Sequence, residues 1–345
     1  MSQFLWFIPY IHVRTSAENH GGSTLIWGIA FFLYCQNKAL KEKYYALVGL
    51  FLGIAFIFRI QIGVSLFALL VWAIIHKIKP QKLIFMTAGG IMAFLLALAS
   101  NYWGYGEWTV SFYNYILDLI THNRANSFGV SPFWSYVTLL LNRGIPVVSF
   151  PMMIAQLYYW YKNPLSILSW LSFPFFIAHC FIGHKELRFL FPLILLSPYI
   201  FTLSLDQYDM KVRPWMVKMF NAVNVLFLII VCTRSANRAI PFYKYLYKNN
   251  AISHHINTLG GDPQRLVSLF PHFYLKINRD FSNSEKSNWH FTNKGEQKAL
   301  FKNCDLEYST YPEWIFKLPV KHLLKKSRVW SLFNCSKLSK NEGVR

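Results

Sequence analysis

Between two apolar runs, His184-Lys185-Glu186-Leu187-Arg188-Phe189 sets four ionisable side chains in five consecutive positions, and the segment closes at Pro192. Three cations around one carboxylate suit an anion. A phosphate fits best, because guanidinium matches phosphate oxygens two at a time. A zinc site is not expected, since His184 and Glu186 lack the i, i+4 helical spacing of an H-E-x-x-H pair. Arg59 and Gln61 break an otherwise apolar stretch further upstream. An ionisable group at membrane depth is costly and normally faces the protein interior or an aqueous cavity. Arg59 is therefore either an interfacial cation whose head snorkels to water or a further arm of the phosphate clamp. Arg14 and Glu18 stand at the mouth of the second apolar run, where the simplest reading pairs them with each other.

The segment 101–136 carries the other chemistry. It runs Asn101-Tyr102-Trp103-Gly104-Tyr105-Gly106-Glu107-Trp108, then Tyr113-Asn114-Tyr115, Phe128-Gly129 and Pro132-Phe133-Trp134-Ser135-Tyr136. Aromatic rings of this density fit an interfacial belt, and they equally suit stacking on sugar faces. The amides and carboxylates among them can hold hydroxyls. Carboxylates able to act as a general base are Glu18, Glu107 and Glu186.

The elements that must position these groups are membrane helices. Of 345 residues, 54% are hydrophobic, 18% aromatic and only 14% charged, too few charges to cover a soluble fold in water. Residues 1–235 hold 17 basic and 7 acidic residues, whereas 236–345 hold 18 and 8. An apolar part of about eight spans is thus expected over 1–235, followed by a basic aqueous domain over 236–345. The fold class expected is an all-α polytopic membrane protein with a small α+β soluble domain at its C-terminus. Apolar runs fall near 3–11, 22–36, 44–58, 62–75, 83–100, 136–160, 165–182, 187–204 and 219–233. Those at 44–58 and 62–75 are shorter than the ~20 residues a spanning helix needs. The first run has no charged n-region and no small-residue cleavage site, so it does not read as a signal peptide.

Short lysine-rich loops set the orientation. Lys38, Lys41 and Lys43 form one, Lys77, Lys79 and Lys82 a second, and Lys211, Arg213 and Lys218 a third. With these in the cytoplasm, alternation puts 12–22, 59–62, 101–135, 183–188 and the C-terminal domain on the opposite face. Every candidate site residue then shares that face. A basic anchor is a poor account of the segment beginning at His184, because it lies on the wrong side for one. The net charge of +20 fits attraction to anionic lipid headgroups. No basic stripe interleaves with exposed aromatics on a soluble fold, so nucleic acid is not an expected partner. Five cysteines show no metal-ligand spacing, and only Cys304 and Cys335 share the soluble part, where they could pair.

These segments together resemble glycosyltransferase family 22, the membrane mannosyltransferases of N-glycan and GPI-anchor assembly and their bacterial relatives. The resemblance rests on Arg14-Thr15-Ser16-Ala17-Glu18, on Phe58-Arg59-Ile60-Gln61, on Trp103 through Trp108 leading to Tyr113-Asn114-Tyr115, on Phe128-Gly129 with Pro132-Phe133-Trp134, and above all on His184-Lys185-Glu186 with Arg188-Phe189 and Pro192. It covers about residues 5 to 200, and the histidine-lysine-glutamate motif is its most specific part. It implies a GT-C-like scaffold with the site on the lumenal or periplasmic face. The donor would be a polyprenyl-phosphate mannose or another hexose, the acceptor a lipid-linked glycan, and no cofactor or metal would be needed. Arg59, His184, Lys185 and Arg188 would hold the donor phosphate. Arg14, Gln61, Asn101, Trp103, Asn114 and Trp134 would hold sugar or acceptor.

Two departures from the family pattern bear on activity. The family's first outer loop, of His-Pro-Asp-Glu type, carries the expected base, and Met1 falls after the point where it should stand. Asn101 replaces a family aspartate ahead of the glycine-tyrosine-glycine segment, which itself looks more like the bacterial relatives. The expectation is an N-terminally truncated, bacterial-type copy, in the bacterial cytoplasmic membrane or the endoplasmic reticulum, whose activity suffers from the lost acidic loop. Two readings from other classes compete with it: a lipid or polysaccharide transporter, and a non-catalytic partner subunit.

Overall fold

The structure is a computed structural model that describes residues 5–13, 16–121, 129–207, 213–233, 239–249, 252, 255–259, 287–294, 301, 303–311 and 328–336. The chain forms two compact units, Met1–Cys232 and Thr233–Arg345.

The first unit is helical: α1 (Phe7–His12), α2 (Ala17–Asn37), α3 (Tyr45–Phe58), α4 (Gly63–Ile75), α5 (Pro80–Tyr105), α6 (Ser111–Thr121), α7 (Ser135–Gly144), α8 (Pro146–Lys162), α9 (Ile167–Phe181), α10 (Phe191–Gln207) and α11 (Pro214–Thr233). Among the described residues, three helices are long and apolar enough to cross a membrane. They are α5, the run Leu187–Gln207 that contains α10, and Pro214–Cys232 within α11. Helices α8 and α9, bent by 117° at their junction, make a fourth if they count as one broken span. Helices α3 and α4, the two short runs of the sequence, have 14 and 13 residues. At 1.5 Å per residue each is only about 20 Å long.

Glycine lets α3 and α5 lie nearly backbone to backbone. A Cβ on Gly49 would sit 1.8 Å from the Met86 carbonyl oxygen, and one on Gly89 would sit 1.9 Å from that of Ala46. Gly49 and Gly53 are four residues apart, and Gly89 and Ala93 face them in the same spacing. This is the small-residue packing by which helices associate in lipid, where hydrophobic burial gives no drive.

Helices α2 and α4 end alike at the lysine-bearing face. The Leu40 N–H reaches back to the Cys35 carbonyl at 3.0 Å, and that of Ile78 to the Ala73 carbonyl at 2.9 Å. Ala39 and Lys77 take the left-handed backbone that closes such a Schellman turn, with φ of 47° and 50°. Leu40 and Ile78 then pack against the core formed by α2, α3, α4, α9 and α10. At this face Phe32 meets both Tyr45 and Trp72, and Lys82 lies over the Tyr45 ring. The start of α2, the junction of α3 with α4 and the junction of α9 with α10 therefore gather at the other end. Each of those three places supplies a charged side chain.

The second unit holds α12 (Ala239–Lys248) and strands β1 (Asn257–Leu259), β2 (Trp289–Lys294), β3 (Asp305–Ser309) and β4 (Arg328–Asn334). The sheet order is β1-β2-β4-β3, with β1 parallel to β2 and the other pairs antiparallel. Phe242, Tyr243 and Leu246 of α12 pack on Phe291, Trp330 and Leu332 of the sheet. Cys304 and Cys335 are joined by a disulfide, one step beyond the Asp305–Asn334 pair that ends the β3–β4 ladder.

Candidate functional site

Ser16 opens α2 by accepting a hydrogen bond from the Asn19 N–H at 3.2 Å, an N-cap of ordinary type. Glu18 thus falls in the first turn, where the helix dipole favours a negative charge. It is only 3% exposed. What buries it is close approach. Gly21 faces Ile62, the Ala55 carbonyl and the Arg59 Cβ, and Gly22 faces the backbone of Pro192. A side chain at either glycine would push the start of α2 away from its neighbours.

Helix α3 stops at Phe58. Arg59 then takes extended backbone, and a 3-10 turn over Ile60–Ile62 leads into α4. The break points the Arg59 guanidinium back at α2, where Nη2 lies 3.4 Å from Glu18 Oε1. The third arm comes from the α9–α10 junction, where Glu186 is extended and Leu187–Leu190 form another 3-10 turn. Arg188 Nε lies 3.7 Å from Glu18 Oε1 and 2.5 Å from Glu186 Oε2. Arg188 also donates from Nη2 to Glu186 Oε1 at 3.2 Å. The Phe189 ring underlies both guanidiniums, 5.0 Å from Arg59 and 5.7 Å from Arg188. Two cations from distant elements thus share one buried carboxylate and one aromatic seat.

His184 completes the group. Its Nε2 lies 3.1 Å from Glu186 Oε1 and its Nδ1 3.3 Å from the Gly129 carbonyl oxygen. Burial pushes the Glu186 carboxyl upward, but the hydrogen bond from His184 and the charge and hydrogen bond of Arg188 outweigh it. The carboxyl is held below its usual range.

Lys185 sits beside this cluster but turns inward. Its ammonium donates to the carbonyls of Ile182 at 2.7 Å and Ser131 at 3.1 Å, and it is 9% exposed. With the Ser131 N–H bonded to the Gly183 carbonyl, it fastens segment 129–136 to the motif loop. Gln61 follows Arg59 in the 3-10 turn, and its Oε1 is buried with no hydrogen-bond partner among the described residues. Arg14 lies outside the described residues.

The remaining expected residues stand elsewhere. Asn101 and Asn114 both donate to Thr109, one to its carbonyl at 2.8 Å and the other to its hydroxyl at 2.9 Å. They pin the turn between α5 and α6. Trp103 is 89% exposed and Trp134 66% exposed, both open to bind a ring or to sit in a lipid interface. Glu107 is exposed too and follows Gly106, whose φ of +75° ends α5. Asn101 lines a mostly apolar cavity of about 370 Å³ with Phe58, Phe94 and Phe112. The sequence motif includes Phe189 without a role for it, and it gives no sign of two further contributors, Gly21 and Gly22.

The model of the Alg9-like mannosyltransferase family matches residues 1–268. The chain belongs to that family. Among curated relatives, GPI mannosyltransferase 3 of Gibberella zeae is 32% identical over 126 residues, covering 32% of this chain and 20% of the relative. The probable Dol-P-Man:Man(7)GlcNAc(2)-PP-Dol alpha-1,6-mannosyltransferase of Schizosaccharomyces pombe is 25% identical over 174 residues, covering 48% and 30% respectively. The chain therefore spans less than a third of the length of either relative. No solved structure matches it.

Proposed function

We propose that this chain transfers mannose, or a related hexose, from a polyprenyl-phosphate donor to a lipid-linked glycan, with the donor phosphate seated on Arg59 and Arg188. The observation that carries the reading is the convergence of those guanidiniums, from the α3–α4 and α9–α10 junctions, on one buried carboxylate. In the transfer the acceptor hydroxyl oxygen bonds to the anomeric carbon. The bond from that carbon to the phosphate oxygen breaks, its electron pair stays on the phosphate, and the hydroxyl proton leaves to water. Negative charge therefore grows on the phosphate, and fixed cations stabilise it there. His184 adds a donor beside Arg188, and Lys185 holds the loop that carries them.

The reaction's base is unassigned. Glu18 and Glu186 are committed to arginine, and Glu107 stands in the open at the α5–α6 turn. Sidedness is supported by two independent features. Glu18 and Lys38 lie at opposite ends of α2, whose 21 residues separate them by about 31 Å. The Cys304–Cys335 disulfide suits an oxidising compartment, as expected if the C-terminal unit lies outside the cytoplasm.

The test is reconstitution of the full chain in liposomes with polyprenyl-phosphate [³H]mannose and a lipid-linked glycan acceptor. Transfer that falls about a hundredfold in Arg59→Gln is the expected result. Transfer from a nucleotide sugar instead, or none from any polyprenyl donor, would refute the reading.

A further inference from the structure

A base needs to be free to receive a proton, and Glu18 is not placed for that. It is buried, and both cations of the phosphate seat already hold its Oε1, at 3.4 and 3.7 Å. Nor is it a surface ion pair. Its side chain is 5% exposed, against 37% for Glu186 and 54% for Arg188. Its charge is therefore felt undiluted by water, whereas that of Glu186 is partly screened.

We infer that Glu18 is a specificity-determining and positioning residue: it sets the charge of the arginine pair so that the seat favours a phosphodiester over a phosphomonoester. The inference rests on the proposed donor. The donor is a diester with one negative charge. The product left after transfer is a monoester, whose second ionisation near pH 6 takes it to nearly two charges at neutral pH. Two arginines without Glu18 would hold the product more tightly than the donor, and the enzyme would be inhibited by its own product. One fixed buried negative charge lowers the attraction for either anion, and lowers it about twice as much for the dianion. Glu18 also spaces the guanidiniums, since both approach the same oxygen from separate elements and would otherwise repel. The close packing of Gly21 and Gly22 keeps it in place.

The experiment measures binding of farnesyl phosphate and of its methyl diester to the full chain in nanodiscs at pH 7.5. Wild type is expected to bind the diester at least as well as the monoester. Glu18→Gln, equal in size, should shift the ratio of dissociation constants about tenfold towards the monoester. It should also make farnesyl phosphate a stronger inhibitor of transfer. Glu18→Asp, which keeps the charge, should restore the wild-type ratio. Arg188→Gln, at an exposed position, should shift the ratio the opposite way and keeps the test open if Glu18→Gln fails to fold. A folded Glu18→Gln chain with an unchanged ratio would overturn the inference and leave the donor reading standing. Failure of wild type to bind either compound would remove the donor reading and this inference with it.

Discussion

Glu186 accepts hydrogen bonds from His184 and Arg188, and its carboxyl is held below the ordinary range. A carboxyl depressed on folding adds stability above its unfolded pKa, and that stability is lost as pH falls through the folded value. The network should thus be intact at neutral pH and weaken below about pH 4. Glu186→Gln should flatten this acid limb: melting temperatures of wild type and variant, read from pH 7 to 3, should converge as pH drops. A constant gap across that range would mean the carboxylate does not hold the loop through its charge. Arg59 makes a second case. It meets Glu18 at 3.4 Å and lies over Phe189 at 5.0 Å. A lysine offers one point charge and no planar face, so it cannot serve both contacts. Arg59→Lys should keep the chain folded and cut transfer about tenfold to a hundredfold, mostly in kcat. A change in KM alone would place Arg59 in ground-state binding only.

At the scale of elements, the glycines that set helix distances make graded predictions. A Cβ at Gly49 would strike the Met86 carbonyl at 1.8 Å, and one at Gly22 would meet the Pro192 Cα at 2.9 Å, whereas Gly104 has nothing within 4 Å. Helix backbone cannot yield as a side chain can. Gly49→Ala should therefore cost about 3 kcal/mol or more, Gly22→Ala about 1–3 kcal/mol, and Gly104→Ala almost nothing. Thermal unfolding in detergent gives the order, and equal effects at Gly49 and Gly104 would contradict the close α3–α5 packing. Gly22→Ala should also lower transfer, because it separates Glu18 from the α9–α10 junction.

Much of this arrangement was readable along the chain, and the unread part has a common cause. Alternating lysine loops assign Arg59 and Arg188 to one face, and the motif from His184 gathers the ionisable side chains found beside them. Alternation assigns a face, however, not a neighbour. That Glu18 would meet Arg59, 41 positions away, and Arg188 rather than pair with Arg14 depends on the two glycine approaches, which leave no periodic trace. The inward turn of Lys185 was equally hidden, since its partners are carbonyls, and every residue has one. Asn101 and Asn114 had the chemistry of hydroxyl binders, but the nearest polar groups were those of Thr109 at the turn they bracket.

At the scale of the whole molecule, sidedness and redox chemistry make one joint prediction. Cys304 and Cys335 are 31 positions apart, and a closed loop of that size contributes about 3–4 kcal/mol by restricting the unfolded chain. The helical unit holds its other described cysteines, Cys35, Cys180 and Cys232, as free thiols. A reductant should therefore lower the melting temperature of the C-terminal unit and spare that of the helical one, and Cys304→Ser should reproduce the effect without reductant. The same pair reports on topology. In sealed right-side-out vesicles, a membrane-impermeant phosphine followed by an impermeant maleimide should label Cys304 and Cys335. Cysteines introduced at Lys41 or Lys79 should be labelled only after the membrane is opened. Label at Lys41 without permeabilisation would reverse the orientation and carry the arginine site to the cytoplasmic face, where a polyprenyl donor presented on the outer side could not reach it.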